Sequence, residues 1–191
     1  MLRTQIIAMA VAIVGTPSFA TSWTLDSDAS HLAFGSVKNS YVGEVHSFGN
    51  LSGSASDGAV SIEIDLASVQ TNIDIRDERI GEHVFGGLLT ASLTADVAMT
   101  EMAAMAVGDS QTIEFDGTLA LLGEEIPVYT NVLVMRLAES KVMVMTNDMV
   151  FLATDEAGID TGIDTLQELA LLDSITRTSP VTARFIFDLD S

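Results

Sequence analysis

The chain has 191 residues, with 27 acidic against 8 basic side chains, a net charge of −19 and no cysteine. That length suits a single domain with a sizeable core. The acidic balance repels nucleic acid and anionic lipid headgroups, and the missing cysteines exclude disulfides.

The first twenty residues read as a secretory leader: Arg3 in front, an apolar run from Ile6 to Gly15, then Thr16-Pro17-Ser18-Phe19-Ala20 with small residues at Ser18 and Ala20. Cleavage is expected after Ala20, leaving residues 21–191 as one exported, periplasmic domain. The apolar run is too short to span a bilayer, and no later segment is long enough, so the chain is not expected to span a membrane. Losing Arg3 makes the exported chain one charge more negative, a charge best read as a solvated surface.

Short strands follow in chain order. Ser22–Asp26 and His31–Asn39 flank a polar turn at Ser27–Ser30; in the second, Leu32, Phe34 and Ser36 alternate with Ala33, Gly35 and Val37. Val42–Gly53 contains Gly43 and Gly49, and Ser56-Asp57-Gly58 turns the chain into a strand at Val60. There Val60, Ile62, Ile64 and Leu66 share one face, against Ser61, Glu63 and Asp65. Ile73–Phe85 is a charged, helix-like segment. Ala91–Met99 alternates again, and Thr112–Leu121 places Ile113, Phe115, Leu119 and Leu121 on one face. Val128–Leu137 and Lys141–Thr146 form a hairpin around Ala138-Glu139-Ser140. Leu166–Leu172 reads as a second short helix. Val181–Leu189 is a last alternating strand, with Val181, Ala183, Phe185 and Phe187 on one face. Hairpin-length connections throughout predict an all-β fold with one or two short helices: an antiparallel barrel or sandwich in meander order around an apolar interior, of which the closed barrel also removes exposed edges.

The chemical motifs are few. The chain has no Gly-x-Ser-x-Gly elbow, phosphate loop or dinucleotide fingerprint. His31, His46 and His83 lack any local ligand spacing, so no metal is expected. Ser68 reads as a turn or cap residue. Asp155–Asp164 is acidic with glycines at 158 and 162, but lacks the glutamate and flanking helices of a calcium loop and reads as a solvated loop.

Several segments, taken in order, resemble the YceI-like family, periplasmic polyisoprenoid-binding proteins with a lipocalin-like barrel. They are Trp23-Thr24-Leu25-Asp26 with His31-Leu32-Ala33-Phe34, then Gly43-Glu44-Val45-His46-Ser47-Phe48 with Leu51-Ser52-Gly53. Ile64-Asp65-Leu66-Ala67-Ser68-Val69-Gln70-Thr71 leading to Arg76-Asp77-Glu78 is the strongest. Gly117-Thr118-Leu119 to Gly123 and the tail from Asn147-Asp148-Met149 to Pro180-Val181 complete the set. Two departures stand out. Phe85-Gly86-Gly87 replaces an aromatic pair and proline, leaving the shape of that corner open, and Glu124-Glu125 replaces a basic residue.

The resemblance implies a tunnel holding an isoprenoid chain, with no other cofactor and no catalysis. Phe34, Phe48, Ile64, Leu66, Phe115, Leu119, Phe185 and Phe187 are the candidate walls, although the pattern alone does not separate a cavity wall from a packed core. Met99, Met135, Met143 and Met145 would suit a pliable lining, or plain core. Arg76 is expected to anchor the helix to the barrel or to strand-end carbonyls. Arg76 and Asp77 gripping a lipid head, or acting as an enzyme's polar pair, are the other readings. The alternative to a carrier is an envelope stress protein that works through an unknown protein partner, its cavity filled or vestigial. An unsealed strand edge would also allow a homodimer.

Overall fold

The computed structural model describes residues 22–190; the leader and its cleavage position lie outside them. Among the described residues there are twelve strands: β1 Trp23–Leu25, β2 His31–Lys38, β3 Val42–Phe48, β4 Leu51–Ser56, β5 Ala59–Asp65, β6 Val69–Gln70, β7 Thr90–Asp96, β8 Ser110–Leu121, β9 Glu124–Ala138, β10 Lys141–Thr146, β11 Val150–Ala153 and β12 Thr178–Leu189. Helices α1 (Asp74–Arg79), α2 (Met99–Ala103) and α3 (Asp160–Leu169) interrupt them.

The twelve segments make eight barrel staves. The β1 and β2 segments run end to end along one edge of β12, as β10 and β11 do along the other. In the same way β3 and β4 form one stave, and β5 and β6 the next. Counted as staves, the order is a closed antiparallel meander, and closure removes most free edges. The expected fold is the observed one.

Three neighbouring staves bend at the same level, and the bends are fastened by hydrogen bonds. At the first, Ile186 N–H donates to Ser30 Oγ at 2.9 Å and Asp26 N–H to Ile186 C=O at 2.8 Å. At the second, Asn50 N–H donates to Ser68 Oγ at 2.9 Å, and Gly49 N–H to Ser68 C=O at 2.9 Å. At the third, Asp65 accepts from Ala67 N–H at 3.0 Å and caps a single 3₁₀ turn, Leu66–Ser68. The Asp-Leu-Ala-Ser signature is thus a corner device: one carboxylate and one hydroxyl satisfy backbone donors that the bend takes out of the ladder.

Two ends of the barrel differ. At one end Trp23, Val134, Val142 and Phe187 are buried together. Beneath them the buried Arg136 stacks over the Trp23 ring, its guanidinium carbon 5.1 Å from the centroid. Arg136 Nε donates to Ala138 C=O at 2.8 Å, and Nη2 donates to Glu139 C=O. This end is plugged. At the other end lie α1, a π turn at Ile80–Val84 in which Phe85 N–H reaches back to Ile80 C=O at 3.1 Å, and α3 packed on that turn.

Local boundaries differ from expectation in several places. Val42–Gly53 is two segments, since Gly49 and Asn50 serve the bend. The second helix spans Asp160–Leu169 rather than Leu166–Leu172, so half of the acidic "loop" Asp155–Asp164 is helix. Its inward residues, Ile159, Ile163, Leu166 and Ala170, are spaced four, three and four apart, a pattern diluted by the intervening Asp and Gly. Arg177 binds this acidic turn, with Nη2 on Asp164 and Nη1 donating to Asp160 C=O at 3.1 Å. The strand β11 and the single turn α2 were not anticipated.

Candidate functional site

The alternating faces enclose a cavity of about 580 Å³, within the range of small-molecule sites. All eight candidate wall residues contribute atoms to its lining, in two ways. Ile64, Leu66, Phe185 and Phe187 are buried and mostly pack on their neighbours. Phe34, Phe48, Phe115 and Leu119 point inward yet keep accessible surface. Inward apolar residues that remain partly accessible mark a hollow interior, because a close-packed core leaves no such surface. Phe34 and Phe48 stack with centroids 5.3 Å apart, and Phe48 meets Phe85 from the π turn at 6.1 Å. In β8, Gly117 makes room for this wall: a Cβ there would lie 2.6 Å from the Phe115 ring. Met99 and Met145 line the cavity together with Met102, whereas Met135 and Met143 are cross-strand partners outside the lining.

The wall changes character along β2 and β3. Reading toward the helical end, the inward cross-strand pairs are Leu32 with Phe48, Phe34 with His46, then Ser36 with Glu44, and finally Lys38. Apolar surface gives way to aromatic, then to polar, then to charge. Arg76 and Arg79 of α1 join Lys38 and Glu44 in the lining at this end, beside Ile73, Ile75, Ala170, Leu172 and Ile175.

Arg76 and Asp77 both hold Thr71, the buried residue that ends the third stave. Arg76 Nη2 donates to Thr71 C=O at 2.6 Å, while Asp77 Oδ1 accepts from Thr71 N–H at 2.9 Å and from its hydroxyl. The pair therefore clamps one residue's backbone on both sides, which fixes α1 on the barrel rim. Arg76 Nη1 also donates to Glu44 Oε2 at 2.9 Å, and Lys38 Nζ lies 3.0 Å from Glu44 Oε1. Burial pushes the Glu44 carboxyl up, but the hydrogen bonds from Lys38 and Arg76 outweigh it and hold the group below its ordinary value. Arg76 thus faces the cavity, whereas Asp77 is turned to Thr71 and lies outside the lining.

His46 is only 5% exposed. Its Nε2 shares a hydrogen bond with Ser36 Oγ at 3.0 Å, its ring lies 5.2 Å from Phe34, and Nδ1 has no partner among the described residues. Burial, reinforced by the Arg76 charge, pushes the imidazole below the ordinary value of 6.5, against the pull of Glu44 and Asp77. The unfolded chain then binds a proton at a pH where the folded chain does not. This part of the stability is complete above about pH 6.5 and is lost as pH falls from there toward the folded value. The melting temperature should drop between pH 7 and pH 5.5, and His46→Gln should flatten that drop; an equal slope in the variant contradicts the assignment. Glu44 acts in a separate, more acidic window.

The other histidines stand apart. His31 is exposed on β2, and His83 in the π turn is near Glu82 at 3.8 Å. Among the described residues, no three His, Asp or Glu side chains form a metal-holding group. No helix of the described residues is long and apolar enough to cross a membrane. Lys38, Glu44, His46 and Arg79 were missed as cavity residues by sequence reasoning. The signal was present for three of them, because Lys38 continues the Leu32, Phe34, Ser36 face and Glu44 and His46 continue that of Phe48.

Residues 23–165 match the family profile of the YceI-like domain. A polyisoprenoid-binding domain from Saccharophagus degradans, implicated in plant cell wall breakdown, is 33% identical, with a TM-score of 0.86 over 88% of this chain and 98% of that one. BcnA of Burkholderia cenocepacia has the same fold at 13% identity, with a TM-score of 0.61 over 85% of this chain and 98% of its own. No curated protein matches the sequence.

Proposed function

Because the chain belongs to the YceI-like family, we propose that it is a binding protein that takes a long-chain isoprenoid lipid, a polyisoprenoid or an isoprenoid quinone, into the barrel. The observation that carries this reading is the hollow, apolar interior, plugged at the Trp23 end and lined, among the described residues, by charged side chains only at the helical end. A tail inside gains about 0.8 kcal/mol for each buried CH₂, so affinity needs few polar contacts. The polarity ladder along β2 and β3 orients such a molecule, tail toward Trp23 and head toward α1.

Binding without turnover is the reading the side chains support. Asp77 is committed to Thr71, and Arg76 to Thr71 and Glu44, so these two side chains serve to fix α1 on the rim rather than to exchange protons with a ligand. The hollow interior speaks against a filled or vestigial cavity. The leader read at residues 1–20 supports export, and the periplasm is the compartment we propose.

Native mass spectrometry of protein purified from its own host, followed by organic extraction, tests the proposal. One isoprenoid per chain is expected. A folded, delipidated protein that takes up neither a polyprenol nor an isoprenoid quinone would overturn it.

A further inference from the structure

Resting on the isoprenoid reading, the outer rim of the helical end carries an assignment of its own. We propose that this rim docks on a zwitterionic phospholipid bilayer, seating the opening in the headgroup layer so that a lipid tail enters the barrel without crossing water.

The apolar side chains around the opening carry this inference. Ile73 and Ile75 belong to the cavity lining and are nevertheless exposed to solvent. Leu169 and Leu171 are exposed on either side of the lining residue Ala170, where α3 ends. Tyr41, 81% exposed, stands in the turn between β2 and β3. That turn is strapped to the segment after α3: Asn39 N–H donates to Ser174 C=O at 2.9 Å, and Asp173 N–H donates to Asn39 Oδ1 at 2.9 Å. Three parts of the chain thus present large apolar side chains around one opening. Single exposed apolar residues are ordinary, whereas a group of them ringing an apolar cavity marks a contact surface.

Leu171 is the sharpest sign. The end of α3 is closed by two bonds, Leu171 N–H to Glu168 C=O at 3.1 Å and Leu172 N–H to Gln167 C=O at 3.0 Å. This closure puts the residue after the cap in the left-handed region, at φ 52° here, a place that glycine or asparagine usually fills. A leucine is sterically disfavoured there. Burial gives it no compensation, because it is 92% exposed. Neither the local backbone nor the core accounts for leucine at this position; insertion into an apolar layer does.

The charges at this end select the kind of bilayer. Lys38, Arg76, Arg79 and Glu44 stand at the opening, with the exposed Asp74 and Glu78 on α1 and Asp173 after α3. Both signs occur together, which suits headgroups that carry a phosphate and an ammonium. The chain as a whole, with 27 acids against 8 bases, is repelled by an anionic bilayer. Tyr129 and Phe151 are also exposed, but their chain neighbours line the cavity, so these two side chains point outward from the barrel wall.

The test floats the delipidated, full exported chain with vesicles of phosphatidylethanolamine and phosphatidylcholine. Binding is expected, with little dependence on salt, and weaker binding to phosphatidylglycerol vesicles at low salt. Leu171→Asn should lower partitioning onto the zwitterionic vesicles about fivefold, and Tyr41→Ser with Leu171→Asn by about tenfold or more. Asparagine tolerates left-handed backbone, so Leu171→Asn should melt at or above the wild-type temperature, which separates lost docking from lost folding. The outer-wall variant Tyr129→Ser, Phe151→Ser should bind vesicles as the wild type does. Absent binding to zwitterionic vesicles, undiminished binding of the rim variants, loss of binding in the outer-wall variant, or tighter binding to phosphatidylglycerol each overturns the docking assignment. Uptake of geranylgeraniol without vesicles, measured in parallel, reads the isoprenoid proposal separately. Uptake without vesicle binding overturns docking and leaves the carrier standing. No uptake, even from a protein that binds vesicles, overturns both, since docking is proposed as the route of the tail.

Discussion

Leu119→Trp should weaken isoprenoid binding about a hundredfold while the protein melts at or above the wild-type temperature. Leu119 sits on β8 with its side chain inward, opposite Leu93 across one strand pair and Ile126 across the other. It keeps accessible surface inside the barrel, so there is room for a larger ring without displacing backbone. An indole in that room removes wall contact from the tail. Denying burial to about four CH₂ groups costs roughly 3 kcal/mol, and each 1.4 kcal/mol or so is a tenfold change in affinity. Stability moves the other way, or not at all, because filling a cavity adds apolar burial to the folded state. Isothermal titration with one isoprenoid and a thermal melt check both halves, with Leu119→Met as a volume-conserving control. Undiminished affinity would mean that the tail does not pass this level of the barrel.

Gly162→Ala should destabilise the protein by about 2 kcal/mol, although helix propensity alone favours alanine by about 1 kcal/mol. Gly162 lies in α3 where that helix rests on the π turn. A Cβ there would come within 2.4 Å of His83 O and 2.6 Å of Val84 Cα. Both are backbone atoms and cannot swing away as a side-chain tip would, so α3 must lift from the turn. For a domain of this size the melting temperature should fall by about 4–8 °C. Ile163 and Leu166 of α3 line the cavity, so a bound isoprenoid should also leave faster. Thr161→Ala, one position back on the exposed face, is the control and should leave the melt close to wild type. A stabilised Gly162→Ala variant would show that propensity, not close packing, governs this position.

These two sites differ in how visible they are from sequence. Leu119 follows from alternation: in β8 the spacing of Ile113, Phe115, Leu119 and Leu121 fixes a common face without reference to any other strand. The same holds for Val60 to Leu66 and for Val181 to Phe187, and period-2 faces with short connections are enough to specify an antiparallel meander, closed as a barrel or folded as a sandwich. The corner at Asp65-Leu66-Ala67-Ser68 is legible too, because its capping bonds are largely local. Gly162 is not legible, since a glycine in an acidic stretch looks like a loop residue until another backbone is seen 2.4 Å from where its Cβ would be.

Periodicity determined which residues face inward, since a side chain's direction in a strand depends only on its own backbone. It did not determine whether the inward side chains meet. Phe34, Phe48, Phe115 and Leu119 keep accessible surface while Ile64, Leu66, Phe185 and Phe187 are packed, and that division depends on the width and taper of the closed barrel. The charged mouth is likewise tertiary: Lys38 and Arg76 are far apart along the chain and meet on Glu44 only because Arg76 and Asp77 clamp α1 onto Thr71. Residue order sets local geometry, whereas only closure of the chain sets the distances between groups from different elements.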